Sequence, residues 1–363
     1  MDVKTLQTRL AAVPRVALAS FPTPLEPLQR LGRRVASNGP RLWVKRDDGI
    51  GPAMGGNKAR KLEFLLAEAK ARGATRVATF GGLQSNHARM TAAAARKLGL
   101  EPHLFFFEPR PRHMPGNLLL DDLLGARMHF VPLGGSGGMT LEATSRLVQV
   151  LSWLLAGPGT YFIPVGGHTR TGCLGYVVAA QEIHEQAAAM GLQEPVVVLA
   201  AGSGGTLAGL WAGLELLQSP VACLGIDVGK LWRGFPTSIA HMADTICSFL
   251  GEPGAMRRRS VASGRGLPAV DGVAVPLLEG TYVGPGYARP TPEGLAAIHL
   301  LAETEGILLD PVYTSKACAG LLDLLQQGRF AQGQDVIFLH TGGVAGLFAF
   351  ADAFGFDRRP HSR

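Results

Sequence analysis

The chain has 363 residues, which is long enough for two domains that each bury a hydrophobic core. Apolar residues make up 47 % and charged residues 17 % of it, a balance that is ordinary for a globular protein and excludes intrinsic disorder. The formal net charge is +7, but the basic residues are dispersed apart from 257–259 and 358–363, and no nucleic-acid-binding motif accompanies them. We therefore expect a solvated surface with a mild attraction for small anions and no nucleic-acid partner.

The cysteines and the N-terminal segment indicate the cellular compartment of the protein. No two of the four cysteines have a short spacing, so we expect neither a disulfide framework nor a zinc site. No segment approaches the roughly 20 apolar residues that a membrane-spanning helix needs. The first 19 residues lack a long apolar core and a clear small-residue cleavage site, which argues against a secretory signal. The sequence therefore predicts a cytoplasmic protein with no metal and no membrane partner.

Apolar runs typical of strands alternate with amphipathic helical segments along the whole chain. The predicted strands are 42–45, 76–80, 103–107, 161–164, 196–200, 221–228 and 335–340. The predicted helices are 58–72, 85–98, 117–124, 172–190, 205–217, 292–304 and 316–328. Alternation of this kind is typical of parallel sheets covered by helices on both faces, so the predicted fold class is α/β. The Gly/Pro/Arg-rich segment 251–267 is predicted to be a surface excursion.

A glycine-rich turn follows the strand predicted at 196–200 and precedes a helix. Such a turn presents backbone N–H groups and the positive end of the helix dipole to a phosphate, although a tight turn also needs glycine for steric reasons alone. A dinucleotide site would need a third glycine at the position of Leu207, so the turn suits one phosphate better than a pyrophosphate. The candidate phosphate ligands are Gly202, Ser203, Gly204, Gly205 and Thr206.

A lysine on the first turn of a helix is the second candidate. Lys58 follows Gly55, Gly56 and Asn57 directly. The positive helix end and partial burial both lower a lysine pKa from about 10.4, towards the neutral amine that attacks a carbonyl. The alternative is an exposed first-turn lysine. Arg60 and Lys61 are interpreted as surface groups or charge partners.

Two further polar segments lie next to predicted elements. Ser85, Asn86 and His87 begin a helix after a strand, where free N–H groups can bind a carboxylate; the alternatives are a helix cap and a structural histidine. Residues 310–314 and 340–343 are also rich in polar groups, and the second of these follows a strand. In open α/β sheets, ligands bind at the carboxyl ends of the strands.

Taken together, these segments resemble the fold-type II, or tryptophan-synthase-β-like, family of pyridoxal-phosphate enzymes. The resemblance is greatest to the branch that contains D-cysteine desulfhydrase and aminocyclopropane-carboxylate deaminase, and it extends from about Phe21 to Phe348. Its markers are KRDD at 45–48, GGNKARKLEF at 55–64, QSNH at 84–87, EGILLDPVY at 305–313 and HTGG at 340–343. The resemblance implies the cofactor pyridoxal 5'-phosphate, a homodimer and two domains. Residues 1–54 and 166–363 would form the larger, cofactor-binding domain, and 55–165 the smaller one.

The resemblance also assigns roles to individual residues. It makes Lys58 the Schiff-base lysine and 202–206 the phosphate site. It implies Asn86 beside the phenolic oxygen of the cofactor, and Ser85 beside the substrate carboxylate or in acid–base chemistry. The remaining implied positions are Thr314 beside the pyridine nitrogen, Tyr287 and Tyr313 as catalytic tyrosines, and His87 and Thr341 in the substrate site.

Two threonines favour one reaction of this branch. Thr314 and Thr341 replace the glutamate and leucine of the deaminases, and a neutral hydroxyl makes the ring a weaker electron sink that suffices for a good leaving group. The implied reaction is β-elimination of D-cysteine to pyruvate, hydrogen sulfide and ammonia. Aminocyclopropane-carboxylate deamination remains an alternative, and so does L-cysteate cleavage if His168 and Arg170 face the pocket. A non-catalytic ligand-binding protein and a nicotinamide oxidoreductase are the alternatives from other classes. The sequence leaves open whether Lys58 or Ser85 removes the substrate proton.

Overall fold

The structure, a computed structural model, describes residues 1–131, 141–257 and 267–355. The basic residues 258–259 and 358–363, and most of the predicted surface excursion at 251–267, lie outside these ranges. None of the helices in the described ranges is long and apolar enough to cross a membrane.

The predicted strands and helices are all present, and their ends differ by at most two residues from the predicted ones. The helices are α1 Val3–Ala11, α2 Gln29–Val35, α3 Lys58–Ala71, α4 Asn86–Lys97, α5 Asn117–Leu123, α6 Leu141–Ala156, α7 Arg170–Ala189, α8 Gly205–Leu216, α9 Phe235–Phe249, α10 Pro292–Glu305, α11 Thr314–Gln326 and α12 Val344–Leu347. The strands are β1 Leu25–Pro27, β2 Arg41–Arg46, β3 Arg76–Phe80, β4 Glu101–Phe106, β5 Arg127–Phe130, β6 Thr160–Phe162, β7 Val196–Ala201, β8 Ala222–Asp227, β9 Ala269–Val270, β10 Val273–Ala274, β11 Leu277–Leu278 and β12 Asp335–His340. Not predicted from the sequence are the helices α1, α2, α6, α9 and α12 and the strands β1, β5, β9, β10 and β11.

The strands form two main sheets. One has the order β1-β2-β12-β7-β8-β11, in which only β1 is antiparallel, and the other has the order β5-β4-β3-β6 and is entirely parallel. The predicted α/β class with parallel sheets is therefore confirmed. The four-stranded sheet uses strands between residues 76 and 162 only, which supports the predicted division at 54/55 and 165/166; the boundaries themselves stay a prediction.

Helices cover both faces of the larger sheet, as its central strand β12 demonstrates. Ile337 and Leu339 pack into one apolar cluster with α7, α8 and α9, whereas Val336 and Phe338 pack into another with α2, α10 and α11. Successive side chains of a strand point to opposite faces, so a strand buried on both sides is apolar throughout. Helix α8 is itself buried on nearly every side, which is why its sequence has no polar face.

Helix α3 is also buried on almost every side, which contradicts part of the sequence interpretation. Leu62 and Leu65 pack against α4 and β3 in the smaller sheet's core, as the periodicity predicts. However, Arg60 and Lys61 are 0 % and 1 % exposed, so they are not surface groups. Arg60 is a charge partner, because its guanidinium forms salt bridges with Asp47 and with Glu182 of α7.

Candidate active site

A cavity opens where the carboxyl ends of strands from both sheets meet. Most of the residues that line it come directly after β3, β7, β8 and β12 in the chain. The carboxyl ends of strands are where open α/β sheets bind ligands. The lining does not include Gly205 or Thr314, but it includes eleven of the residues proposed from the sequence: Lys58, Ser85, Asn86, His87, Gly202, Ser203, Gly204, Thr206, Tyr287, Tyr313 and Thr341. The structure therefore brings most of the predicted site together.

Lys58 lies at the first position of α3 and points into this cavity. Burial lowers the pKa of its amine well below the usual value, and the nearby Lys61 ammonium lowers it further. The carboxylate of Asp310 opposes this shift, but burial outweighs it. The lowered pKa favours the neutral amine, which is the form that attacks carbonyl carbon.

A short hydrogen-bond chain joins this amine to the start of α8. Lys58 Nζ donates to Asn57 Oδ1 at 2.9 Å, and Asn57 Nδ2 donates to Thr206 Oγ1 at 3.1 Å. Because the Thr206 hydroxyl accepts from Asn57, its own hydrogen stays available for a ligand. Asn57 therefore fixes the distance between the nucleophile and the glycine-rich turn.

The glycine-rich turn forms a site for an anion. Gly204, at φ +79°, ends the turn in the left-handed region, and among the described residues no side chain caps α8, so its first N–H groups face the cavity end. Lys61 approaches from behind: a Cβ at Gly205 would lie 2.8 Å from Lys61 Nζ, which donates to the carbonyl of Gly166 at 2.9 Å. Backbone donors, hydroxyls and a buried ammonium are the groups that bind phosphate.

Ser85, Asn86 and His87 line the opposite wall at the start of α4. Ser85 Oγ accepts from the Ala88 N–H at 3.2 Å, so Ser85 is a helix cap and also faces the cavity. Asn86 Oδ1 accepts from Asn117 Nδ2 at 2.9 Å, which leaves the Asn86 amide nitrogen as a donor for a ligand. Burial lowers the pKa of His87 well below its usual value, so its ring is neutral.

Two tyrosines close the cavity from the side of α11. The hydroxyls of Tyr287 and Tyr313 lie 2.5 Å apart and their rings meet edge to face. Burial raises the pKa of Tyr287 to about 12 and that of Tyr313 well above its usual value. Both hydroxyls are therefore protonated at neutral pH, and the pair can donate one proton towards the cavity.

The two threonines that distinguish the substrate class occupy different positions. Thr341 lines the cavity, and its carbonyl oxygen accepts from the Asn57 N–H at 3.0 Å. Thr314 is fully buried and is absent from the cavity lining. Its hydroxyl donates to Asp310 Oδ1 at 2.7 Å, so it offers a neighbouring group only an oxygen lone pair.

His168 and Arg170 do not reach the cavity lining. His168 is buried behind the glycine-rich turn, with its Nε2 3.3 Å from Ser238 Oγ, and burial lowers its pKa to about 4. Arg170 is exposed and stacks on the ring of Phe249, 4.1 Å from the ring centre. Neither residue supplies the positive charge that recognition of a second acidic group on the substrate would need.

Comparison with known proteins identifies the family. The family model described as "Pyridoxal-phosphate dependent enzyme" matches residues 16–342, about nine tenths of the chain. The chain belongs to this family. It is a pyridoxal-phosphate-dependent enzyme, in agreement with the resemblance noted in its sequence, and the non-catalytic and nicotinamide alternatives do not apply.

Several relatives of the enzyme cover nearly its full length. It is 40 % identical over 352 residues to a D-cysteine desulfhydrase of Yersinia enterocolitica, covering 95 % of this chain and 98 % of the relative. A D-cysteine desulfhydrase of Klebsiella pneumoniae is 39 % identical over 346 residues, with 94 % and 97 % covered. Among solved structures, an ACC deaminase homologue superposes with a TM-score of 0.79 at 34 % identity, covering 96 % of this chain and 98 % of that one. A pyridoxal 5'-phosphate-dependent aspartate racemase, at 14 % identity and a TM-score of 0.60, shares the fold.

The residues that line the cavity fit pyridoxal phosphate. The uncapped start of α8, the Thr206 hydroxyl and the buried Lys61 ammonium form a donor set for its phosphate. The neutral amine of Lys58 suits its aldehyde carbon. Asn57, which links Lys58 to Thr206, and Lys61, which lies behind the turn and outside the cavity lining, were not predicted as site residues from the sequence. Asn57 belongs to the quoted GGNK motif, but no local signal indicates that the residue after Arg60 points inward.

Proposed function

We propose that the enzyme converts D-cysteine and water to pyruvate, hydrogen sulfide and ammonia. The observation that carries this proposal is the meeting, in one cavity, of the neutral Lys58 amine, the anion site at α8 and a protonated tyrosine pair. Its full-length relatives named D-cysteine desulfhydrase support the choice of substrate.

The protein residues position the reacting groups. When bound, pyridoxal phosphate supplies an electron-withdrawing ring that stabilises negative charge at the substrate Cα. We assign the start of α8 and Lys61 to its phosphate, and the Asn86 amide to its phenolic oxygen. Ser85 and the N–H groups at the start of α4 then bind the substrate carboxylate, which suits the positive end of that helix.

Two proton transfers complete the assignment. With pyridoxal phosphate bound, Lys58 would take the Cα proton, because burial lowers the pKa of its amine and so favours the neutral form. The tyrosine pair donates a proton to the departing sulfur. Because the pKa of each hydroxyl is raised, the pair still carries this proton when the bond between carbon and sulfur breaks. Thr341 completes the wall of the substrate site between these groups and Asn57.

A deaminase of aminocyclopropane carboxylate is the second candidate, because a solved homologue of that enzyme superposes over nearly the whole chain. The environment of Thr314 argues against it, since this position holds a neutral hydroxyl that is already bonded to Asp310. L-cysteate is disfavoured, because His168 and Arg170 lie away from the cavity lining.

Parallel assays of the purified holoenzyme test the proposal. D-cysteine should give equal amounts of pyruvate, sulfide and ammonia, whereas aminocyclopropane carboxylate should give little 2-oxobutyrate, and L-cysteine and L-cysteate little pyruvate. Lys58→Ala should abolish turnover and the visible absorbance of the bound cofactor, and borohydride reduction of the wild type should place the pyridoxyl group on Lys58. Robust 2-oxobutyrate formation, or a label on Lys45 or Lys61, would contradict the assignment.

We also propose that the enzyme is a cytoplasmic homodimer. Helix α6 carries large apolar side chains that are exposed in the single chain, and Trp153, for example, is 66 % exposed. An apolar face of this kind is typical of an interaction surface. Light scattering on the purified enzyme measures its molecular mass, and the mass of a single chain would contradict the proposal.

A further inference from the structure

Trp232 lies between two cavities. It lines the active-site cavity, and it also lines a second cavity whose walls come largely from α9. That second cavity is lined mostly by polar and charged side chains, among them Glu142, His168, Arg233, Ser238 and His241. The indole ring is therefore a partition between the reaction site and an adjoining space.

The partition is fixed from two sides. Trp232 Nε1 donates to the carbonyl of Gly202 at 3.2 Å, in the turn that starts the anion site. Its ring packs against an apolar cluster at the carboxyl end of the smaller sheet, which includes Phe80 and Phe105. A side chain held by a hydrogen bond at one end and by packing at the other keeps one rotamer, so the wall is rigid.

The neighbouring Leu231 indicates that the Trp232 ring lies beside the sulfur group that leaves the substrate. A Cβ at Gly229 would lie 2.9 Å from Leu231 Cγ and 3.5 Å from the ring of Tyr287, so these two side chains meet over the same glycine. The carboxylate of the substrate is assigned to Ser85 and its Cα proton to Lys58. Whatever is attached to the substrate sulfur therefore extends towards Leu231 and Trp232.

We propose that Trp232 limits the size of the substrate's β-substituent and restricts the enzyme to small thiols. This inference rests on the proposed β-elimination. Without the indole ring the two cavities join, and the second one has room for an alkyl or aryl group on sulfur. The class of substrate excluded by Trp232 is then the S-substituted D-cysteines, which yield pyruvate, ammonia and the corresponding thiol on the same reaction path.

The test compares D-cysteine with S-methyl-, S-ethyl- and S-benzyl-D-cysteine, using pyruvate formation as the common measurement. In the wild type kcat/KM should fall with each enlargement of the substituent. In Trp232→Ala the ratio of kcat/KM for S-benzyl-D-cysteine to that for D-cysteine should rise by about 10- to 200-fold, the range that a small change in pocket size produces. Trp232→Phe keeps a ring and loses the bond to Gly202, so it should retain the wild-type selectivity.

Phe249→Ala is the matched control, because this aromatic residue lies on α9 but contacts the exposed Arg170. Its selectivity should equal that of the wild type. An unchanged ratio in Trp232→Ala, with D-cysteine still turned over, would overturn the proposal. If Trp232→Ala does not fold, Trp232→Leu makes the same comparison.

A second measurement separates this inference from the proposed function. If the wild type makes no pyruvate from any of these compounds, the proposed function fails. The affinity for the same amino acids, measured through the change in absorbance of the bound cofactor, then tests independently whether Trp232 limits the size of the β-substituent. Trp232→Ala should bind the S-benzyl compound at least about tenfold more tightly than the wild type does, and equal affinity would refute the role of Trp232.

Discussion

Replacing Arg60 by methionine should destabilise the enzyme strongly, although Arg60 contacts no substrate. Its three guanidinium nitrogens make five hydrogen-bond contacts: two with Asp47, two with Glu182 and one with the hydroxyl of Thr23, at 2.7–3.1 Å. Arg60 lies two residues after Lys58 on α3, so the same contacts anchor the helix that carries the nucleophile. Methionine keeps the unbranched apolar stem of the side chain and removes the guanidinium, with its charge and all its donors.

The magnitude follows from what the substitution leaves behind. Asp47 is fully buried, and burial is the largest influence and would raise its pKa, but Arg60, together with Tyr176 and Lys45, outweighs burial and lowers the pKa. Glu182 keeps the cation of Lys45, whose Nζ lies 3.1 Å from its Oε2, whereas Asp47 keeps the neutral hydroxyls of Thr23 and Tyr176 as donors, so most of the cost falls on Asp47. Removing one partner of a buried ion pair costs about 3–5 kcal/mol of unfolding free energy. We expect Arg60→Met to lose stability in this range at pH 8.

The loss should depend on pH in a defined direction. In the wild type the lowered pKa of Asp47 contributes stability that is fully present above the unfolded-state value of about 3.9 and is lost as the pH falls below it. In the variant, burial without Arg60 raises the pKa of Asp47, so protonation relieves the unpaired charge as the pH falls. The difference between wild type and variant should therefore be smaller at pH 5 than at pH 8.

Urea denaturation at both pH values, followed by circular dichroism, measures these differences. Arg30→Met is the control, because Arg30 is exposed on α2, and it should change the unfolding free energy by less than about 0.5 kcal/mol. A loss below about 1 kcal/mol for Arg60→Met, or one that grows as the pH falls, would refute this account of the buried charges.

Two further substitutions test the assigned site. Ser85→Ala should keep the cofactor bound while lowering kcat/KM by about 10²-fold or more, because a group that binds or moves protons at the substrate contributes that much, and it should also cost about 1 kcal/mol of stability through the lost cap. Lys61→Met should weaken cofactor binding by about 10- to 100-fold in an absorbance titration, the value of one charge-assisted hydrogen bond of about 1.5–3 kcal/mol.

Each of these has a control elsewhere in the chain. Asp2 caps α1 as Ser85 caps α4, so Asp2→Ala should leave the rate intact, and an intact rate in Ser85→Ala would show that Ser85 is only a cap. Lys70 is exposed on the same helix as Lys61, so Lys70→Met should bind the cofactor like the wild type. Equal cofactor affinity in Lys61→Met would remove that lysine from the phosphate site.

The sequence predicts the elements around the cavity well because local signals define them. The strand before Gly202 is a continuous apolar run that ends in glycines, and α4 begins at Ser85, a residue type that caps helices. Helix α6 was not predicted, since its apolar residues are spread around the helix and several of them are exposed. Strand β1 is three residues long and is stabilised by pairing with β2, which no local pattern reveals.

The burial of charged groups could not be predicted in the same way. Arg60 and Lys61 follow Lys58 in a stretch that is typical of a solvated helix face. Their partners come from distant parts of the chain, Glu182 for Arg60 and the Gly166 carbonyl for Lys61. The position of Thr314 likewise depends on Asp310, because the Asp310 carboxylate accepts a hydrogen bond from the Thr314 hydroxyl. These contacts depend on tertiary structure, so only their residue types are visible in the sequence.

The strand order also determines when each part of the enzyme can fold during synthesis. The four strands of the smaller sheet come from one continuous stretch, so this sheet can form once residue 162 has left the ribosome. In the larger sheet β12 lies between β2 and β7, and β2 has no parallel neighbour until residues 335–340 have been made. Domains fold as units during translation, and pairings distant in sequence form late. The nascent chain therefore carries a nearly complete smaller sheet with Ser85 while β2 and β7 still lack the strand that joins them, and truncation before residue 335 removes the centre of the larger sheet.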